Sequence, residues 1–430
     1  MKASVLGLAY GLTGYPDLRQ WQMRHLFKAG PGRWQTPRLH DPLFSCALVP
    51  LPLLSSSAET TPAPGRYFAE FGFLGVKLNA TLSDPDAVAA GKVALRLNGH
   101  TLRDLGLIPV SEGRARLLYT IRRPALAMFP PRAVLSLHDA RGAALAVDLR
   151  YFPGRAVRDA RQCHAIEIAI PFGDGRIFDH LAATGPLDKK GWPQPDRAAV
   201  HARQDQMLAL YSRVRQVFDE DIGLPLFVLY GTLLGQYRGG DFIPGDDDFD
   251  VGYVSDATGP AAFKAEAMQI MERLVARGFI VGLNHLGRPH RVRDAQSGVE
   301  IHLDNHAVFA PGDGHVWLHP RARLPLSLDG FREVEKVQMR GVEVLRPVGT
   351  EAFLAAHYGP GWRVPDPGYA NITTSPDRRV AQQLSALCLT RAEQRAFAQR
   401  LVRQGLPGDF IAVALEPPYP LDRYAARVGF

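Results

Sequence analysis

Four aspartates stand within five positions, Asp246-Asp247-Asp248-Phe249-Asp250, and apolar residues flank and interrupt them. Like charges this close raise each other's pKa, so the fold around them must either leave them in water or supply a cation. The flanking chain does not read as a solvated loop. Leu226-Phe227-Val228-Leu229-Tyr230 is a continuous apolar run after Pro225, as in a strand covered on both faces. It ends in Gly231-Thr232, enters a predicted short helical turn, loops at Gly239-Gly240 and returns as Asp248-Phe249-Asp250-Val251. Side chains two apart on a strand share a face. The spacing therefore predicts Asp248 and Asp250 aimed at one point, Asp246 in register just before them, and Phe249 and Val251 in the core. Hard oxygen ligands of this kind suit Mg²⁺ or Mn²⁺, which typically bridge one or two carboxylates to substrate phosphates. Gly231 permits close backbone approach to a phosphate, and Thr232 offers a hydroxyl or N–H donor. Four acids alone read more readily as a solvated turn or a structural Ca²⁺ loop. The Gly-Thr strand end and the interleaved apolar residues turn the balance toward a metal-and-phosphate site.

The rest of the chain limits what this site can belong to. With 430 residues, 46% hydrophobic and 22% charged, it is too apolar to be disordered and long enough for two domains, or three. Lys+Arg 50 against Asp+Glu 43 gives a net charge of +7, mostly from arginine. That surface suits anionic partners in general, nucleotide sugars, phosphoglycans, headgroups or nucleic acid, without choosing among them. Cys46, Cys163 and Cys388 are far apart and match no metal spacing, so buried reduced thiols in a cytoplasmic protein are expected. The opening Met1-Lys2-Ala3-Ser4-Val5-Leu6-Gly7 is broken by glycine and does not resemble a signal peptide, and the most apolar stretch, 46–54, contains Pro50 and Pro52. No run approaches the ~20 apolar residues of a membrane span. A cytoplasmic location is expected, with a peripheral place at the inner membrane face as the alternative.

Periodicity divides the chain. Residues 1–65 form an N-terminal segment closed by a Ser/Thr/Pro-rich linker at 55–65. Period-2 segments at 75–81, 92–97, 115–121, 133–137 and 144–147 predict a β-sandwich over 66–155, the last two joined as a hairpin at Ala140-Arg141-Gly142. A connecting region, 156–198, ends in the irregular stretch 185–195. A mixed α+β domain is expected over 199–370, with helices at 199–221 and 263–277, and a helical extension over 371–430 opened by the capping box Thr390-Arg391-Ala392-Glu393 and closed by Gly405. Asn79-Ala80-Thr81 and Asn371-Ile372-Thr373 match a glycosylation acceptor pattern, but no secretory signal accompanies them.

The segment 230–252 resembles the LicD/fukutin family of phosphotransferases. Gly231, Thr232, Leu233, Leu234, Gly235, Arg238, Ile243, Pro244, Asp246, Asp247, Asp248 and Asp250 stand at matching positions, and Tyr230 and Gly245 depart from it, at the family's first Gly and at its Trp before the acids. Within the match lies the broader nucleotidyltransferase pattern of Gly-Ser/Thr followed by Asp-hydrophobic-Asp. The resemblance, over about 199–370, implies a nucleotidyltransferase-like mixed sheet with helices behind the β-rich domain. It implies a third carboxylate from a neighbouring strand, where Val299-Glu300-Ile301-His302-Leu303-Asp304 offers Glu300, with Asp304 as the rival. The metal ligands so implied are Asp248, Asp250 and Glu300 or Asp304, and Asp246 or the third-strand acid would take a proton. Arg238 is placed nearest the transferring phosphate, where a guanidinium can fork onto two oxygens. Arg291 and Arg293, alternating on a predicted strand, either contact a diphosphate or form a solvated face. The late segment 344–362 is similar to the family's short helix ending in Tyr/Phe-Gly.

The implied activity is metal-dependent transfer of a phospho-alcohol (phosphocholine, phosphoribitol or a similar polyol phosphate) from a CDP-activated donor to a glycan hydroxyl, in surface or capsular polysaccharide biosynthesis. The implied partners are that donor, the glycan acceptor and membrane-peripheral or glycan-assembly machinery, with no nucleic acid. Two alternatives stand beside it: nucleotidyl transfer on the same fold, and a non-catalytic glycan-binding or assembly protein. No Gly-x-Ser-x-Gly elbow, Walker loop or Rossmann fingerprint competes.

Overall fold

The computed structural model describes residues 42–52, 62–72, 74–152, 163–283, 290–298, 301–319, 322–365, 383–416 and 427. It forms two compact units, one within 24–196 and one built from 197–366 and 373–430.

The first unit is a β-sandwich. One five-stranded sheet has the order β1 (Ala47–Pro52), β10 (Cys163–Ala169), β8 (Arg132–Asp139), β4 (Lys92–Leu97), β5 (His100–Gly106). The other has β6 (Ile108–Ser111), β7 (Arg114–Arg122), β3 (Gly75–Leu82), β2 (Gly65–Gly72), β9 (Ala146–Val147). Alternation along β7 buries Ala115, Leu117, Tyr119 and Ile121, exposes Arg116 and Leu118 and leaves Thr120 half-buried, the pattern that one-sided burial demands. The Tyr67 hydroxyl bridges the sheets, 3.2 Å from the carbonyls of Leu135 and His164. The sandwich extends past 66–155 at both ends, because β1 and β10 pair along six positions and β10 then pairs with β8. The expected hairpin at 140–142 is made only around its turn, where the Asp139 N–H donates to the Ala143 carbonyl at 2.9 Å. Ala144 forms a single bridge to His138, and β9 crosses to pair in parallel with β2 in the opposite sheet.

The second unit is mixed α+β, as the sequence implied. Its ten-stranded sheet runs β18 (Val334–Met339), β19 (Val342–Pro347), β11 (Phe227–Val228), β12 (Asp250–Ser255), β15 (Leu303–Phe309), β14 (His290–Arg293), β13 (Ile280–Leu283), β20 (Asp409–Ala412), with β16 (Val316–His319) and β17 (Ala322–Leu324) branching from β15. The central strands are mixed in direction: β12 is antiparallel to β11 and parallel to β15. Helix Arg197–Val217 buries Met207, Leu210, Tyr211 and Val214 along one face and ends in a π turn, Phe218–Ile222. Helix Pro260–Ala276 stops at Gly278, whose φ is +88°. The C-terminal part is integral to this unit rather than an extension: β20 pairs in parallel with β13, and Phe397, Leu401 and Phe410 join the main hydrophobic core. All three cysteines are buried, and none of them is joined in a disulfide. Among the described residues, no helix is long and apolar enough to cross a membrane.

Candidate active site

The site forms where β11 gives way to a helix and β12 begins. The apolar run 226–230 makes a strand of only two residues. Leu229 is extended, Tyr230 turns to φ +47°, and helix Tyr230–Gly239 starts at once, longer than the turn predicted. Gly240 caps it in the left-handed region and the chain doubles back over it. Gly235 makes the doubling possible: a Cβ there would lie 2.6 Å from the Asp241 carbonyl oxygen and 2.7 Å from the Ile243 nitrogen. The loop is then pinned from several sides. The Gln204 amide donates to the Asp246 carbonyl at 3.1 Å, Arg340 donates to Gln204 Oε1 at 3.1 Å, and the Arg340 N–H donates to the Gly240 carbonyl. Gln204 lies on the apolar face of its helix, a polar residue at a core position. That is a sequence signal the reading passed over.

Asp246, Asp247 and Asp248 present carboxylate oxygens within 4.8 Å of one another. Alternation predicted Asp248 on the strand with Asp250; instead Gly245 turns at φ +78° and β12 starts only at Asp250, which leaves Asp248 in the loop. The strand start is fixed by three hydrogen bonds: Asp250 N–H to Thr232 Oγ1 (2.9 Å), Leu229 N–H to the Asp250 carbonyl (2.9 Å) and Asp304 N–H to the Phe249 carbonyl (2.9 Å). Phe249 and Val251 are fully buried, as expected.

Parallel pairing of β12 with β15 sets Asp250 directly beside Asp304. Arg291 Nε, from β14, donates to Asp304 Oδ1 at 2.9 Å, and His302 Nε2 lies 3.8 Å from the same oxygen. His306 Nε2 meets Asp250 Oδ1 at 3.0 Å. These neighbours divide the two acids electrostatically. Burial pushes Asp250 up, the His306 hydrogen bond pulls it back, and repulsion from Asp248 and Asp304 leaves it raised, at about 6. Burial also pushes Asp304 up, but Arg291, His302 and His306 outweigh it and hold that carboxyl at about 2.

The remaining sequence candidates fall in different places. Glu300 lies outside the described residues, so Asp304 is the described third-strand acid. Thr232 is buried and its hydroxyl already serves the Asp250 N–H. Gly231 faces Asp246: a Cβ there would stand 3.1 Å from Asp246 Oδ2, so the glycine makes room for a carboxylate at the start of the helix. Arg238 turns away from the acids and donates to the backbone carbonyls of Trp362 and Val364. Arg293 donates to the Arg427 carbonyl at 2.8 Å. Arg291, by contrast, is in direct contact with an acid of the site, Asp304. His306 is the residue the sequence reading missed. Its signal was available, since it stands two positions beyond Asp304 and so shares that face of the strand.

The donor set is all oxygen, and burial, with repulsion from Asp248 and Asp304 added to it, raises Asp250. These residues fit a hard divalent cation such as Mg²⁺ or Mn²⁺. Comparison with known proteins agrees on the domain: residues 223–347 match the family model of the LicD/FKTN/FKRP nucleotidyltransferase domain. That span contains β11, the helix from Tyr230, the acid loop, β12, β15 and β19. No curated protein matches the chain.

Proposed function

We propose that the chain bearing this nucleotidyltransferase domain is a metal-dependent phosphotransferase, moving a phospho-alcohol from a CDP-activated donor to a glycan hydroxyl in surface or capsular polysaccharide biosynthesis. The observation that carries this reading is the meeting of the aspartate loop 246–248 with the Asp250–Asp304 pair inside the matched span.

Each residue has a physical task in this reading. Asp248, Asp250 and Asp304 would hold the cation, and Asp304 stays ionised throughout the physiological range because Arg291 lies against it. A bound divalent cation neutralises charge on a diphosphate and polarises the phosphoryl group under attack. Arg291 engages Asp304 through Nε only, among the described residues, so its terminal nitrogens remain for phosphate oxygens. The acceptor hydroxyl must lose a proton as it attacks. Asp304, held at about 2, is a poor base, which leaves Asp246, pressed against Gly231, for that role.

The test is a screen of CDP-choline, CDP-ribitol and CDP-glycerol for metal-dependent CMP release with a glycan acceptor. Asp248→Asn and Asp250→Asn are expected to lower release by about a hundredfold or more, given that even outer-shell partners of a metal act on a 10–100-fold scale. Full activity in either variant with every donor removes the assignment. Product mass separates phospho-alcohol transfer from nucleotidyl transfer, because the two add different groups.

A further inference from the structure

His306 and Tyr230 form a device that the acid motif does not include. Asp250 pairs with Asp304 across β12 and β15, and Gly252 pairs with His306. The imidazole is buried and reaches diagonally from the neighbouring strand, bringing Nε2 to 3.0 Å from Asp250 Oδ1. Nδ1 is buried with no hydrogen-bond partner among the described residues. A proton on Nδ1 would be stranded while a bare Nε2 faced the carboxylate, so the ring presents Nε2–H to Asp250. That donor occupies one carboxylate oxygen and fixes the rotamer, leaving the other oxygen to face the site.

The ring is itself held. Tyr230 packs edge-on against His306, centroids 5.0 Å apart, and its own ring is enclosed by His357 at 4.8 Å and Phe353 at 5.7 Å. Tyr230 makes these contacts from φ +47°, a conformation natural to glycine and disfavoured for a bulky side chain. A strained aromatic persists only where its surroundings over-determine it. Here those surroundings include the imidazole that orients a site carboxylate.

We propose that His306 is a positioning residue that presents Asp250 to a divalent cation, and that Tyr230 is held in its strained conformation to lock the His306 ring. The proposal rests on the phosphotransferase reading of the same site, so its readout is cation binding rather than turnover: Mn²⁺ affinity by calorimetry, with melting temperature measured alongside. His306→Phe keeps an aromatic ring against Tyr230 and removes the donor, whereas His306→Gln keeps an N–H at similar reach. His306→Phe is expected to weaken Mn²⁺ binding by about ten- to a hundredfold, as for other outer-shell partners. His306→Gln is expected to recover most of that loss, and Tyr230→Gly to weaken binding severalfold. A folded His306→Phe protein with unchanged Mn²⁺ affinity, alongside an Asp250→Asn protein that has lost it, overturns the proposal and leaves the functional reading standing. Wild-type protein whose Mn²⁺ binding does not depend on Asp250 overturns both. If His306→Phe does not fold, Tyr230→Gly and His306→Gln decide the question: unchanged affinity in the first together with full loss in the second overturns it.

Discussion

Gly231 shows how much one missing atom can decide. Alanine at this helical position would gain about 0.5–1 kcal/mol from backbone entropy and helix propensity. Its Cβ, however, would stand 3.1 Å from Asp246 Oδ2 and force the carboxylate to move by a few tenths of an ångström. Gly231→Ala is therefore expected to melt at the same or a slightly higher temperature while losing Mn²⁺ affinity severalfold, a split that calorimetry and thermal denaturation would show together. Thr232 and Arg238 make the complementary point. Both residue types suit phosphate, and the sequence placed both there. In the fold the Thr232 hydroxyl holds the first N–H of β12, and Arg238 ties the end of its helix to the turn at 362–364. A donor's chemistry is legible from its letter, but the partner that claims it is set by neighbours distant in the chain.

At the scale of elements, the helices were the most legible, because their periodicity and their ends are both local properties. The box at Thr390 is present: Thr390 Oγ1 accepts from the Glu393 N–H, and Glu393 Oε2 accepts from the Thr390 N–H at 2.6 Å. Lys264 Nζ, on helix Pro260–Ala276, then meets Glu393 Oε2 at 3.0 Å. Thr390→Ala is expected to cost about 1 kcal/mol. Because helix Arg391–Gln404 and β20 share the main core, that loss should appear as a shift of the single urea midpoint of the second unit, not as separate melting of a C-terminal segment. Strands were harder to read. The run 226–230 is apolar throughout, yet it makes only a two-residue strand, since Tyr230 leaves the extended region. Asp246, Asp248 and Asp250 alternate suitably for a strand, but after the left-handed turn at Gly245 the acids at 246–248 cluster and β12 starts only at Asp250. Alternation records which faces are polar. It does not record where the chain ceases to be extended.

For the whole molecule, pH exposes a feature of the second unit's core. Burial pushes His357 down from its ordinary 6.5 to about 4 as it packs against Tyr230 and Phe353. Between those values the unfolded chain binds a proton that the native state refuses, so this contribution to stability is fully present above about pH 6.5 and is lost as pH falls toward 4. The full shift would set a ceiling near 3 kcal/mol, and partial exposure brings it to about 1–2 kcal/mol. Asp250, raised rather than lowered, acts with the opposite sign over part of this range, so the measurement is a difference: wild type minus His357→Phe, by urea denaturation at pH 7 and pH 5. The variant should lose less stability on acidification, and an equal loss would show that the imidazole is not kept neutral. The sequence by itself determined the domain type, the β-rich and α+β halves, the helix ends and the identity of the acid loop, since each is written in residues close together along the chain. Only the tertiary structure decided that Asp304 stands beside Asp250, that Arg291 and His306 divide the two acids between them, and that Tyr230 carries the strain beside His306. The meetings of Asp250 and Tyr230 with Asp304 and His306 join parts of the chain more than fifty residues apart, and local periodicity carries no information about which distant residue a strand will face.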